Sequence, residues 1–336
     1  MSGLSNVVDR LRGLIPESLL RLRAPYPPVA LAVDGDAAVL VRLKRRRRAK
    51  PLLEACVARP LGSECIPASI FQTVARPTAE LAHRLQELFE LSGTRPSRVS
   101  LVLPDNLAKV SLMVLPERPA SPRQLDELVR SKMRRAVPFR LDEGRMSYQL
   151  LPGAGREATV LVLLVRRALV DGFEQALASA GARVGLIDIC TPNLINLFRT
   201  RLTDVGGGDV ALLNCTDRYF SLVIVREERL IFFRCKTFAF EGEQVAAPNG
   251  ELAREVASSL SYYREKLSGR GIARLLVRSL GRPFDEVAER LRGLDVGKVE
   301  PLDPSSEYEL QPGATFDPAL AQSIAPAIGA AVGRSR

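Results

Sequence analysis

Val29-Ala30-Leu31-Ala32-Val33-Asp34-Gly35-Asp36-Ala37-Ala38-Val39-Leu40-Val41-Arg42-Leu43 is an apolar run, a turn cluster and a second β-rich run in immediate succession. Glycine between two acids supplies the positive φ that a tight hairpin turn demands, so the stretch is predicted as strand, turn, strand. An acid and a glycine at such a turn also form a common setting for nucleotide phosphates.

Working outward, Lys44-Arg45-Arg46-Arg47-Arg48-Ala49-Lys50 reads as a solvated loop before a third strand from Leu52 to Ala58. No aromatic residue interleaves with it, which argues against stacking on single-stranded nucleic acid. Upstream, residues 4–23 carry apolar residues at helical spacing with Arg10, Arg12, Arg21 and Arg23 between them. Such a basic amphipathic segment can lie on an anionic membrane or pack on a partner. Downstream, Thr78 to Leu91 is predicted as a helix stopped by Gly93, and strands are predicted at Val99–Leu103 and Ala108–Val114 around Pro104-Asp105-Asn106. Ser121-Pro122-Arg123-Gln124 is a helix start, and the helix halts at Val137-Pro138-Phe139. Further strands are expected at Met146–Leu151, Thr159–Val165 and Ile187–Ile189, with helices at Ala168–Ala180 and Asn193–Leu202.

After the linker Gly206-Gly207-Gly208 the opening pattern returns. Val210-Ala211-Leu212-Leu213-Asn214-Cys215 resembles Val29 to Asp34, and strands at Phe220–Val225 and Arg229–Cys235 follow it, then a helix from Glu251 to Leu267. A repeated three-strand meander plus helix predicts a duplicated α/β unit. A strand at Ile272–Val277, a helix at Phe284–Leu294, an extended piece at Val299–Leu302 and an Ala-rich segment from Asp317 to Val332 complete the chain. Pro326 is expected to kink that last segment or delay its start.

Composition narrows the chemistry. The 336 residues suffice for about two domains at roughly 150 residues each. The net charge of +10 favours anionic neighbours and says nothing of fold. Five scattered cysteines without Cys-x-x-Cys spacing suit a reducing compartment and argue against a zinc site. A single histidine, His83, argues against a triad or a histidine-based metal site. No G-x-x-x-x-G-K-[ST] is present and no G-x-G-x-x-G follows a strand, so a P-loop is excluded. The acid pairs Asp126/Glu127 and Asp142/Glu143 read as solvent-facing charges rather than catalytic carboxylates. The first residues show no signal peptide, and the longest apolar run, Ala158 to Val165, is far short of the ~20 residues a spanning helix needs. A cytoplasmic protein, peripheral to a membrane, is the expectation.

Several of these segments resemble, in order along the chain, the PilM family of type IV pilus assembly proteins, actin-like relatives of FtsA and of the L component of type II secretion. The most specific stretch is Val99-Ser100-Leu101-Val102-Leu103-Pro104-Asp105, followed by Val137-Pro138-Phe139-Arg140-Leu141-Asp142-Glu143. Val162 to Arg167, Glu251 to Val256 with Tyr262-Tyr263, and Ala325-Pro326-Ala327-Ile328-Gly329-Ala330-Ala331 also fit the family's pattern. The resemblance implies an α/β, actin-like fold. Its expected parts are an N-terminal segment (1–27), a first half (28–97 plus 186–205), an inserted 1C-like subdomain (98–185) and a second half (209–336). It also implies a partner, the N-terminal cytoplasmic peptide of a PilN-like inner-membrane protein, held in a groove between the insert and the first half. The pilus motor ATPases are implied as further partners, and the membrane to which the protein is peripheral is then the inner one.

Where the family binds ATP–Mg²⁺, this chain departs from the pattern. Asp34 and Gly35 persist, but Ala37 and Ala38 replace the hydroxyl residue of a shortened loop. The second phosphate loop reads Asn214-Cys215-Thr216-Asp217-Arg218, with an amide for the carboxylate and a β-branched residue where glycine is usual. Cys190 replaces an acid after Asp188, and Val277-Arg278-Ser279-Leu280-Gly281 keeps one glycine of the adenosine loop. The expected remnant of the cleft is Asp34, Gly35, Asp188, Thr216 and Gly281, with Arg218 or Arg278 a candidate to fill the phosphate space. Ser131-Lys132-Met133-Arg134 stands where the family carries Trp-Glu-Ala-Glu. Arg130, Arg134, Arg135, Pro138 and Phe139 are therefore the expected partner-binding residues, with no catalytic residue and no cofactor. The alternatives are an active ATPase or sugar kinase using Asp34, Asp188 and Asp217, an L-type secretion platform protein, and a nucleic-acid-binding protein, for which no reading motif is present.

Overall fold

The computed structural model describes residues 26–62, 65–72, 79–151, 157–203, 207–238, 250–312, 317 and 320–333. The expected N-terminal helix over 4–23, the helix start at Thr78 and Gly206 lie outside the described residues.

β1 (Val29–Asp34), β2 (Ala37–Lys44) and β3 (Leu52–Pro60) form the predicted antiparallel meander, with Asp34 paired to Ala37 across the Gly35-Asp36 turn. α1 (Ala79–Leu91) leads to β4 (Arg98–Leu103), which runs parallel beside β1. At Pro104 the chain leaves this sheet and builds β5 (Ala108–Leu115), α2 (Pro122–Met133), β6 (Gly144–Leu151) and β7 (Ala158–Arg166), a separate sheet of order β5-β7-β6. α3 (Arg167–Ser179) returns it to β8 (Arg183–Ile189), parallel beside β4. α4 (Cys190–Leu197) and α5 (Arg199–Thr203) then cross to the second half. There β9 (Asp209–Cys215), β10 (Tyr219–Arg226) and β11 (Arg229–Thr237) repeat the meander. α6 (Gly250–Lys266), β12 (Ile272–Ser279), α7 (Phe284–Arg290) and β13 (Lys298–Pro301) follow. The chain ends with β14 (Glu309–Leu310) and α8 (Ala321–Val332).

The orders β3-β2-β1-β4-β8 and β11-β10-β9-β12-β13 are the same path traced twice, so the duplication is real at the level of topology. Packing corrects its register. Val29, Leu31 and Val33 enter the core under α1 and α3, while Ala30 and Ala32 face the second half. In β9 it is Val210 and Leu212 that face the first half, and Ala211, Leu213 and Cys215 that turn away. The letter-by-letter match of Val29–Asp34 to Val210–Cys215 is thus one residue out of step, because a strand's side chains alternate between faces. Asn214 is the position in the repeat equivalent to Asp34.

Two expected boundaries shift. β4 and β8 belong to the first sheet and α3 packs into its core, so the insert with a sheet of its own spans 108–166, narrower than 98–185. The proline turn after β4 is where the chain exits. At the other end, β14 pairs with β3 and α8 packs between the halves against β1, β2 and α4, so the second sheet closes at Pro301, well short of 336. The expected helix over Asn193–Leu202 is two helices, the first beginning at Cys190. α8 does run through Pro326, and its small residues allow close approach: a Cβ on Gly329 would collide with the Asn193 carbonyl of α4. Among the described residues no helix is long and apolar enough to cross a membrane.

Candidate functional site

Among the described residues, two of the concave sites bear on the expectations: a cleft between the halves and a groove between the insert and the first half. The cleft forms where β1 and β9 end. Ala30, Ala32 and then Asp34 share one face of β1, and Leu276 and then Arg278 share the corresponding face of β12, so the same alternation that builds the inter-half core aims two opposite charges at each other. Both side chains are almost fully buried, 0% exposed for Arg278 and 3% for Asp34. Arg278 Nη1 donates to Asp34 Oδ2 at 2.7 Å and to Asn214 Oδ1 at 2.7 Å. Its Nε donates to the carbonyl of Gln322 at 2.8 Å. That carbonyl lies four residues before Pro326, which has no N–H to give it, so the proline leaves an acceptor inside α8 that the guanidinium takes. Nη2 is buried and has no hydrogen-bond partner among the described residues.

The remaining lone pairs of Asp34 are engaged as well. Tyr219 Oη donates to Oδ1 at 3.0 Å, the Gly35 N–H to Oδ1 at 3.1 Å, and Cys190 Sγ lies 3.5 Å from Oδ2. Burial, then the charge of Asp34, pushes the Cys190 thiol and the Tyr219 hydroxyl well above their ordinary values. Burial works against the charge of Arg278, but the surrounding Asp34, Cys190 and Tyr219, Asp34 foremost, together raise the guanidinium pKa. Behind this pair sits a second buried acid, Asp105, from the turn where the chain leaves the first sheet. It accepts from the Thr191 N–H at 2.9 Å, from the Thr191 hydroxyl, and from Asn214 Nδ2 at 3.1 Å. Burial raises its pKa despite those hydrogen bonds, and the charge of Asp34 adds to the rise.

At the mouth, Asp34, Gly35, Thr216 and Gly281 line a cavity of about 460 Å³ together with Arg59 and Arg218. Arg218 of the second half forms an ion pair with Asp36 of the first, and Arg282 reaches Asp217 at 3.1 Å. Thr216 closes its own turn, its hydroxyl donating to the Tyr219 carbonyl at 3.0 Å and accepting from the Arg218 and Tyr219 N–H groups. Residues 216–218 do so without positive φ, so the missing glycine is answered by a hydroxyl. Of the expected remnant, Asp188 does not belong here; it lies on β8 in the other site, and Cys190 is the residue that reaches Asp34. An oxygen-ligated cation would need a carboxylate with free lone pairs, and Asp34 offers none.

The groove, about 550 Å³, is walled by Leu161, Leu163 and Val165 of the insert and by Val184, Ile187 and Asp188 of β8, with Tyr26 and Pro192 at its margin. β6 and β8, the strands bordering it, are both edge strands. Each therefore has one row of backbone N–H and C=O groups outside its sheet's ladder. Arg145 closes one end, held by Glu174 and Asp171 at 2.7 Å each.

The expected partner-binding residues are elsewhere. Val160, Val162 and Leu164 of β7 face α2, whereas Leu161, Leu163 and Val165 face the groove. The basic helix surface therefore lies on the opposite side of the insert's sheet. Arg130 is paired with Asp126 at 2.6 Å, and Arg134, Arg135 and Pro138 are exposed. Phe139 is half-buried under the Arg166 guanidinium, 4.3 Å from its ring centre. Asp105 and Tyr219 are cleft residues that pattern reading missed. Asp105 stood in the motif quoted for the resemblance but was read as a turn, and nothing in the neighbourhood of Tyr219 marks it.

No protein-family model matches the chain, and no curated protein matches its sequence. Solved structures do. A chain of a PilM–PilN type IV pilus biogenesis complex is 22% identical, with a TM-score of 0.72 over 92% of this chain and 98% of that one. A Bacteroides thetaiotaomicron protein with an actin-like ATPase fold and unknown function is 10% identical, with a TM-score of 0.50 over 83% of this chain and 91% of that one. The fold is the actin-like, PilM-like fold that the sequence resemblance implied.

Proposed function

We propose that this protein is a PilM-like scaffold of a type IV pilus or related secretion machine, working at the cytoplasmic face of the inner membrane and using its groove to hold an extended segment of a PilN-like partner. The observation that carries this reading is the groove itself: a trough bounded by two edge strands, with Leu161, Leu163, Val165 and Val184 on its walls and Arg145, Glu174, Asp188 and Asn196 along it, in a chain with a PilM-like fold. An extended peptide laid there gains main-chain hydrogen bonds from an edge and side-chain burial from Leu161, Leu163 and Val184. The cleft takes no part in catalysis and binds no ATP–Mg²⁺, because Arg278 already neutralises the acid that would orient the metal's water shell. An ATPase or kinase would need Asp34 released from Arg278, Tyr219 and Cys190 together.

The test is fluorescence anisotropy with a labelled peptide from the N-terminal cytoplasmic end of the PilN-like membrane protein of the same organism. Leu163→Arg, which puts a charge on the groove wall, should weaken binding by at least about tenfold. Unchanged affinity overturns the groove assignment. Calorimetry with ATP and Mg²⁺ should show no heat of binding at micromolar protein, and a saturable isotherm overturns the reading of the cleft.

A further inference from the structure

The cleft and the groove are joined by one short helix. α4 begins at Cys190, whose sulfur lies against Asp34 in the cleft, and Pro192 and Asn196, a few residues on, line the groove. β8, which runs directly into α4, is the groove's first-half wall. On its other side α4 is packed by α8 at the Gly329–Asn193 contact. Arg278 of the second half grips three neighbours of this helix: Asp34 at the end of β1, Asn214 of β9, which donates to Thr191 of α4, and the Gln322 carbonyl in α8 that Pro326 leaves open.

We infer that Arg278 is a positioning residue for the groove: a built-in cation that ties the second half to β1 and to α8, and so holds α4 and β8 where the groove needs them. The inference rests on the groove being the working surface, but its mechanical content does not need the partner. A guanidinium covalently part of β12 cannot dissociate, so the tie is permanent where a diffusible cation or nucleotide would come and go. Three acceptors from three segments meet one side chain: Asp34 and Asn214 through Nη1, and Gln322 through Nε. The segments they anchor are β1, β9 and α8, and each touches α4: Asp34 at Cys190, Asn214 Nδ2 donating to Thr191 Oγ1 at 3.2 Å, and Gly329 at Asn193. Loosening the tie is therefore felt in α4 and β8 before it is felt in the insert's β5–β7 pairing.

Hydrogen–deuterium exchange of the intact protein tests this without any partner. Arg278→Met keeps the bulk of the stem and removes every donor. It should speed exchange across 183–197 by at least about tenfold, with residues 108–115 and 158–166 unchanged. Asp34→Asn should act in the same direction and carries the test alone if Arg278→Met does not fold, while Arg278→Lys should recover most of the protection. Leu260→Ala, a buried residue of the second half's own core remote from the cleft, is the control for general destabilisation. Unchanged exchange in 183–197 for Arg278→Met or Asp34→Asn overturns the inference, as does an equal rise in Leu260→Ala. The peptide-binding assay separates the two readings. If the wild type binds no peptide but the exchange pattern appears, the partner assignment fails and the tie stands. If the peptide binds equally to wild type and Arg278→Met with no exchange difference, the tie fails and the groove stands.

Discussion

Removing the guanidinium of Arg278 should cost this fold more than any surface ion pair. In Arg278→Met the buried carboxylate of Asp34 keeps only Tyr219, Cys190 and the Gly35 N–H, while Asn214 Oδ1 and the Gln322 carbonyl lose their 2.7 Å and 2.8 Å donors. Taking one partner from a buried pair strands the other charge in low dielectric, which typically costs about 3–5 kcal/mol. For 336 residues that unfold cooperatively, average unfolding entropies make this a fall in Tm of about 4–7 °C. The cost is mainly that of the stranded carboxylate, so Asp34→Asn in the same chain should recover part of it. The double variant should be more stable than additivity allows by about 1–3 kcal/mol. Urea titrations of the wild type, the two single variants and the double variant give all four stabilities. A loss below about 1 kcal/mol for Arg278→Met, or strict additivity in the double variant, refutes the assignment of Asp34 and Arg278 as a charged pair.

Pro326→Ala should behave unlike a proline removed from an ordinary helix interior, where about 3 kcal/mol is regained. Here the new N–H competes with Arg278 for the Gln322 carbonyl, so thermal melts should show little or no gain; a full gain would sink the paired reading of Pro326 and Arg278. Gly281→Ala meets a φ of +90° and a collision with the Asp217 carboxylate, and should lose about 1–3 kcal/mol by urea titration, with a neutral result contradicting the turn. Burial raises the Asp105 pKa, so its stabilising contribution is present below the unfolded value of about 3.9 and is lost as pH rises through the folded value. The stability of Asp105→Asn relative to wild type should consequently improve between about pH 4 and pH 7, and a constant difference would place no strain on that carboxyl. The double reversal Arg134→Glu with Arg135→Glu should leave groove binding within about twofold, because those residues lie across the insert's sheet from it; a larger loss would return the partner to the basic face.

Much of the architecture is local and so was readable. Strand alternation, the Ser121 cap with Pro122 behind it, and the repeated meander each arise from neighbours in sequence, and the elements fall close to their predicted places. Even the drift of the phosphate loops was visible residue by residue, because a missing glycine or carboxylate is a fact about one position. Asp34 is marked by its turn, and Arg278 by the charge it brings to a loop that keeps only one glycine.

What the chain order could not decide was which face each residue takes and what it meets there. The one-residue offset between β1 and β9 inverts inside and outside without changing composition: the loop pattern already set Asn214 at the acid's place, but only packing shows that the strands themselves are matched one residue out of step. Asp188 goes to the groove and Cys190 to the cleft, two residues apart on either side of a strand–helix junction. The basic helix looked like a partner surface by charge alone, and only the pleat of β7 puts it on the far side of its sheet. The grip of Arg278 on Asp34 and on the Gln322 carbonyl joins segments 244 and 44 residues apart. A strand's alternation is written in sequence, whereas the meeting of distant side chains depends on how whole sheets and helices stack.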